Sequence, residues 1–187
     1  MRYKEYHPNK VLEKIIPLFW QHGFHGCSVN DLVNATGVNR FSLYEEFENK
    51  EGILYKSLQF YRERYCDQKL NVLNETDDLD KVLKKFYLSF LSDSDSFMGC
   101  YFIHIGTELA DTDERVKKLL DNYLKEVELL FAELLIRNHI EKEQAKFNAQ
   151  HLLALYCTVM SFCLIHTPKE RERYIENGIQ VILPQYA

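Results

Sequence analysis

Apolar side chains recur along this chain at three- and four-residue steps, over stretches long enough to be helices. Asn9 to Gln21 carries Val11, Leu12, Ile15, Ile16, Leu18 and Phe19 at that spacing, with Pro17 inside it. A proline there removes the amide that would bond back to Glu13 and crowds that carbonyl, so a kink or restart is expected near Ile16. Gly23 and Gly26 then end the helix and turn the chain toward Ser28.

Two short periodic segments follow. Val29, Leu32, Val33 and Ala35 make one apolar face before Thr36-Gly37, and Val38, Leu43 and Phe47 make another after it. Ser28 with Asp31 three residues on is the capping-box pattern, and Asn39 suits the cap of a second helix just past the turn. Short helices folded about a glycine stand at a steep angle, which lets the second enter a DNA major groove while the first braces it. Asn49 suits the cap of a fourth helix running to about Leu73 through Ile53, Leu54, Leu58, Tyr61 and Tyr65, and the NETDD run after it predicts a loop.

Further helices are predicted over Leu79–Leu91, closed by the polar run SDSDS, over Gly99–Ala110, and from Glu114 to about Asn138 after the cap-like Asp111-Thr112-Asp113. Two more run from Glu143 to about His166, and from Pro168 to about Leu183 with Pro184 past its end. There is no strand pattern, internal repeat or Gly/Ser linker. The expected architecture is all-α with about nine helices: a three-helix helix-turn-helix head over residues 1–50 and a helical body over 51–187.

In the penultimate helix Leu152, Leu153, Leu155, Tyr156, Val159, Met160, Phe162, Cys163 and Ile165 leave almost no polar face. A helix apolar on nearly all sides must be buried on all sides. It is therefore expected to pack with the last helix, which offers Tyr174, Ile175, Ile179 and Ile182, against their copies in a four-helix homodimer interface. Leu152, Tyr156, Val159, Phe162, Cys163, Ile175 and Ile179 are its expected centre.

Composition alters this picture little: 46% hydrophobic and 27% charged residues in 187 suit a soluble globular chain. Net charge is −5, but residues 1–50 balance six basic against six acidic side chains, so the negative excess lies further on. A neutral head can bind DNA, with modest non-specific attraction. The five cysteines (Cys27, Cys66, Cys100, Cys157 and Cys163) form no CxxC pair, which suggests reduced thiols in a cytoplasm. The N-terminus lacks the apolar core of a signal peptide, and the uncharged run Leu152–Ile165 is shorter than the roughly 20 residues that span a bilayer. No nucleophile–base pair, phosphate loop or metal cluster has a recognisable spacing, so neither an enzyme nor a cofactor is expected.

Gly23 to Leu54 resembles the DNA-binding head of the TetR/AcrR family of bacterial transcriptional regulators. The resemblance rests on Gly23-Phe24, Ser28-Val29, Gly37-Val38, Leu43-Tyr44 with Phe47, and Lys50-Glu51. A second similarity, Gly99-Cys100 followed by Glu108-Leu109-Ala110, is to the start of the ligand-binding domain in one branch of that family. The resemblance implies a dimer that binds a double-stranded, inverted-repeat operator, a body that binds effector and dimerises, and repression relieved by a small ligand.

By position, the resemblance places Ser28 at the start of the second helix, Tyr44 and Lys50 against DNA phosphates, and Asn39, Arg40, Phe41 and Ser42 toward base edges. The helical wheel agrees in part: Leu43 and Phe47 point inward, Phe41, Ser42 and Glu45 outward, and Arg40 and Tyr44 flank them. Lys50 adds positive charge to a helix start whose free amides already favour phosphate. Phe41 stands where the family often has a smaller residue, and either presses on thymine methyls or restricts approach. Glu45 and Glu46 put negative charge beside DNA, tolerable for Glu45 if it accepts from a cytosine amino group.

The body from Leu79 to Ile165 is rich in aromatic and aliphatic side chains, which suits a pocket for a small apolar effector. Tyr101, His104, Glu108 and Tyr123 are its candidate polar contacts. His104 and Glu108, four apart, share the spacing of a metal-binding pair, but no further ligand stands at a diagnostic spacing and no metal is expected. The alternatives are a helical protein-interaction module without DNA binding and a thiol- or metal-responsive regulator.

Overall fold

The computed structural model describes residues 6–91, 99–162 and 165–184, and among these it contains nine helices and no strand. α1 (Pro8–Gly26), α2 (Val29–Thr36) and α3 (Arg40–Phe47) make the head. α4 covers residues 50–74: an α-helix Lys50–Tyr61, a π-helical stretch Arg62–Cys66, an α-turn Asp67–Leu70 and a 3-10 turn Asn71–Asn74. The body continues with α5 (Leu79–Ser89), α6 (Tyr101–Leu109), α7 (Glu114–Arg137), α8 (Lys142–Ser161) and α9 (Pro168–Ile182). The SDSDS run lies outside the described residues.

The break in α1 falls at Gly23, not near Ile16. The helix passes through Pro17, which together with Glu13 lies on its solvent side, where water can meet the carbonyl that proline leaves unpaired. Gly23 has φ 73° and ψ 172°, a conformation in which a side chain would be strained. Every expected cap of the head is formed: Ser28 and Asp31 complete a capping box, Asn39 accepts from the Ser42 amide at 2.9 Å, and Asn49 accepts from the Gly52 amide at 2.7 Å. Gly52 has a second role. A β-carbon there would lie 1.8 Å from the Phe47 carbonyl oxygen, so the close α3–α4 corner admits no larger residue.

Leu12, Ile15, Phe19, Leu32, Leu43, Ile53 and Leu54 fill the head core and continue without interruption into the body. There the antiparallel pair α7 and α8 packs with α5 around Phe86, Tyr87, Phe131 and Tyr156. α8 ends at Ser161 rather than near His166. It touches α6, α7 and α9 of its own chain. Leu152, Tyr156 and Val159 are thus covered within the protomer, as are Ile175 and Ile179 of α9, and five of the seven residues expected at a dimer interface belong to the protomer core instead. One chain thus covers more than one side of α8. Of the other two, Phe162 is 44% exposed, and Cys163 lies outside the described residues.

Candidate nucleic-acid interface and its joint with the body

α3 presents its first turn to solvent. Arg40 is exposed with its guanidinium 5.2 Å from the centre of the Tyr44 ring, Phe41 is 75% exposed, and Glu45 is exposed one turn further on. Asn39 caps the helix, and Tyr44 lies half-buried against the head core. Ser42 is half-buried too, its carbonyl accepting from the Tyr6 hydroxyl at 2.9 Å, so it faces bases less freely than Arg40 and Phe41. The Ser28 hydroxyl is engaged in the capping box, donating to Asp31 at 2.6 Å. Those hydrogen bonds from Ser28 hold the Asp31 carboxyl below the usual carboxylate range.

Lys50 stands at the start of α4, yet its ammonium is turned toward α1. It donates to the Phe24 carbonyl at 2.6 Å and lies 4.2 Å from the centre of the Phe24 ring. The segment after Gly23 is also held from the body. The Glu108 carboxylate, on α6, accepts from the Phe24 amide at 2.7 Å and the His25 amide at 2.8 Å, capping the restarted turn of α1. A β-carbon on Gly23 would come within 2.7 Å of that carboxylate. Nothing in local spacing reveals these partners, because Glu108 lies 84 residues from Phe24.

The four candidate effector contacts therefore fall into two places. His104 and Glu108 border a shallow surface hollow with Gln21, His22, Gly23 and Thr107, at the joint between body and head. Tyr101 and Tyr123 are buried in an aromatic cluster. The Tyr101 hydroxyl donates to Ser57, 2.8 Å away, because Ser57 spends its own proton on the Leu54 carbonyl. The Tyr123 and Tyr156 hydroxyls pair at 2.8 Å, and the Tyr123 ring stacks on Phe102 at 4.8 Å. Tyr61 links this cluster to Trp20 of α1, which meets Tyr61 edge-on at 5.4 Å and Tyr101 at 5.9 Å. The π-helical stretch of α4 carries Arg62, whose Nη2 pairs with Glu126 at 2.6 Å and Asp67 at 3.1 Å while the guanidinium sits 5.5 Å over Tyr123. Its Nη1 is buried without a hydrogen-bond partner.

Burial pushes the Cys66 and Cys100 thiols up, which keeps them neutral and poor as nucleophiles, and it raises the Cys157 thiol to about 11. Among the described residues no group of three or more His, Cys, Asp or Glu side chains converges to hold a metal, and no helix is long and apolar enough to cross a membrane.

A capped helix-turn-helix with an exposed second helix, seated on an all-helical body, defines the helix-turn-helix class of DNA-binding regulators. Residues 11–55 match the family described as bacterial regulatory proteins, tetR family. The chain is 32% identical over 113 residues to the HTH-type transcriptional repressor ComR of Escherichia coli, a match covering 58% of this chain and 54% of that protein. It thus spans about half the length of that relative. It is 24% identical over 143 residues to the negative regulator of the biofilm operon icaADBC, IcaR, of Staphylococcus epidermidis, covering 74% of this chain and 75% of that one. The fold superposes with a TM-score of 0.83, at 20% identity and over 97% of this chain and 98% of the other, on the TetR family regulator CifR complexed with double-strand operator DNA. Over residues 11–55 the chain thus matches the tetR family of bacterial regulatory proteins, and its fold is that of solved TetR family regulators.

Proposed function

We propose that this protein is a cytoplasmic repressor that binds an inverted-repeat operator as a homodimer, each α3 lying in a major groove, and that a small, largely apolar effector releases it. The head, residues 1–50, binds DNA, and the body, residues 51–187, dimerises and receives the effector. The observation that carries this reading is the solvent-facing first turn of α3 on a fully capped helix-turn-helix, with Arg40 and Phe41 projecting from it. Repression is supported by the names of the Escherichia coli and Staphylococcus epidermidis relatives, and operator binding by the CifR complex. A lone α3 covers too few base pairs for specificity, which favours two heads on a symmetric site.

The effector site proposed lies among Tyr61, Tyr101, Phe102 and Tyr123, where the buried Arg62 Nη1 gives an otherwise aromatic wall one free donor. A ligand that favours one tilt of α4 would change the spacing of the two heads. The test is a gel shift with the protein and the DNA upstream of its own gene. A symmetric footprint, released by a small molecule that also stabilises the protein thermally, is the expected result, and absence of any shifted band at low salt would refute operator binding.

A further inference from the structure

We infer that Phe41 is a specificity-determining residue that reads the C5-methyl group of a thymine in each operator half-site. This rests on the proposed placement of α3 in the major groove. Phe41 is the second residue of α3, in the turn that advances furthest into a groove when such a helix docks end-first. Its ring is 75% exposed and far from the head core, which Leu43 and Phe47 of the same helix fill. A phenyl group offers no charge and no hydrogen-bond donor to a phosphate. Within the major groove, thymine alone presents an apolar group, its methyl. Burying an exposed ring against that methyl removes apolar surface from water on both partners.

The surroundings favour the groove floor over the phosphate rims. Glu45, one turn beyond Phe41 on the same face and also exposed, would be repelled by phosphates. The positive charge of the turn is on Arg40, drawn aside over the Tyr44 ring. The outward stripe of α3 is therefore apolar, then acidic, and suits the exocyclic groups of pyrimidines: a methyl for Phe41 and an amino group for Glu45.

The test begins by selecting duplexes from a random pool with the purified full-length protein. Each thymine of the enriched half-site is then replaced by deoxyuridine, which removes one methyl group and leaves the base pair intact. One position should lose about fourfold in affinity, the worth of one buried methyl group. With Phe41→Ala, an exposed substitution that spares the core, the thymine and uracil duplexes should bind equally at that position, and Phe41→Leu should retain part of the difference. Equal binding of all uracil duplexes by the unaltered protein would overturn the inference, as would a methyl preference that survives in Phe41→Ala. Enrichment of no sequence would instead overturn the DNA-binding reading, and this inference with it.

Discussion

The carboxylate of Glu108 accepts hydrogen bonds from the amides of Phe24 and His25, at 2.7 and 2.8 Å, so that a side chain of the body caps a helical turn of the head. The turn is the one that leads into α2, and its direction is set by the left-handed backbone at Gly23. Glu108 thereby couples the position of α6 to the direction in which the helix-turn-helix leaves α1.

Glu108→Ala removes the acceptor for two amides and is expected to lower stability by about 1 to 3 kcal/mol, with Glu108→Gln losing less because it keeps one oxygen acceptor. Gly23→Ala should be costly as well, since its φ is positive and its β-carbon would crowd Glu108. Thermal melts followed by circular dichroism measure both. A Glu108→Ala protein that melts with the parent would show that the cap contributes nothing.

Lys50 gives a separable prediction. Because its ammonium ties α4 to the Phe24 carbonyl, Lys50→Met should reduce stability by about 1 kcal/mol in the absence of DNA. A lysine that served phosphates alone would leave the free protein unchanged, and denaturant titration of the two proteins distinguishes these outcomes.

The joint between α4 and α7 is expected to respond to pH. The Tyr55 hydroxyl donates to Asp113 at 2.7 Å, and Asp113 in turn caps the amides of Arg115 and Val116. Burial, with the hydrogen bond and charge of Asp113, pushes the Tyr55 phenol up to about 12 from its ordinary value of 10.0. A pKa raised on folding contributes stability that is whole below the unfolded value and lost as pH climbs through the folded one. Thermal midpoints should therefore fall as pH rises past 10.0 toward about 12, and Tyr55→Phe should flatten part of that fall. An unchanged profile in Tyr55→Phe would contradict the coupling.

We propose that the dimer face is built from apolar side chains left outside the protomer core. Phe162, Ile165, Tyr174 and Val181 are 44%, 72%, 45% and 80% exposed, and Tyr174 and Val181 are seven residues apart on one side of α9. Val181→Glu should weaken self-association more than tenfold while leaving the helical content intact, because an unpaired charge would be buried between protomers. Val159→Glu, at a site buried within the protomer, should unfold it. Sedimentation velocity with circular dichroism reads both, and a Val181→Glu dimer as tight as the parent would place the interface elsewhere.

The head was legible in the sequence because its determinants are local. Ser28 and Asp31, Asn39 and Ser42, and Asn49 and Gly52 are all three residues apart, and one turn of chain suffices to specify each cap. The body was legible as helices but not as a packing arrangement. Periodicity shows that α8 is apolar on most sides but not which neighbour covers each side, and Leu152, Tyr156 and Val159 are buried by helices of the protomer itself. Glu108 and Lys50 carried the same limitation, since their partners are set by tertiary docking across 84 and 26 residues of chain. The need for glycine at position 52 is set by the Phe47 carbonyl packed against it, which no helix-start pattern specifies.

Trp20, the single tryptophan of the sequence, sits where the head meets the body, edge-on to Tyr61 and beside Tyr101. Its indole is therefore an intrinsic optical probe of one of the contacts by which the body holds the head, beside the Glu108 cap and the α3–α4 corner. Tyrosine-to-indole energy transfer and the indole emission colour both depend on distances of this order. A shift of the head on the body should change the protein's own fluorescence, so that operator and effector titrations need no attached dye.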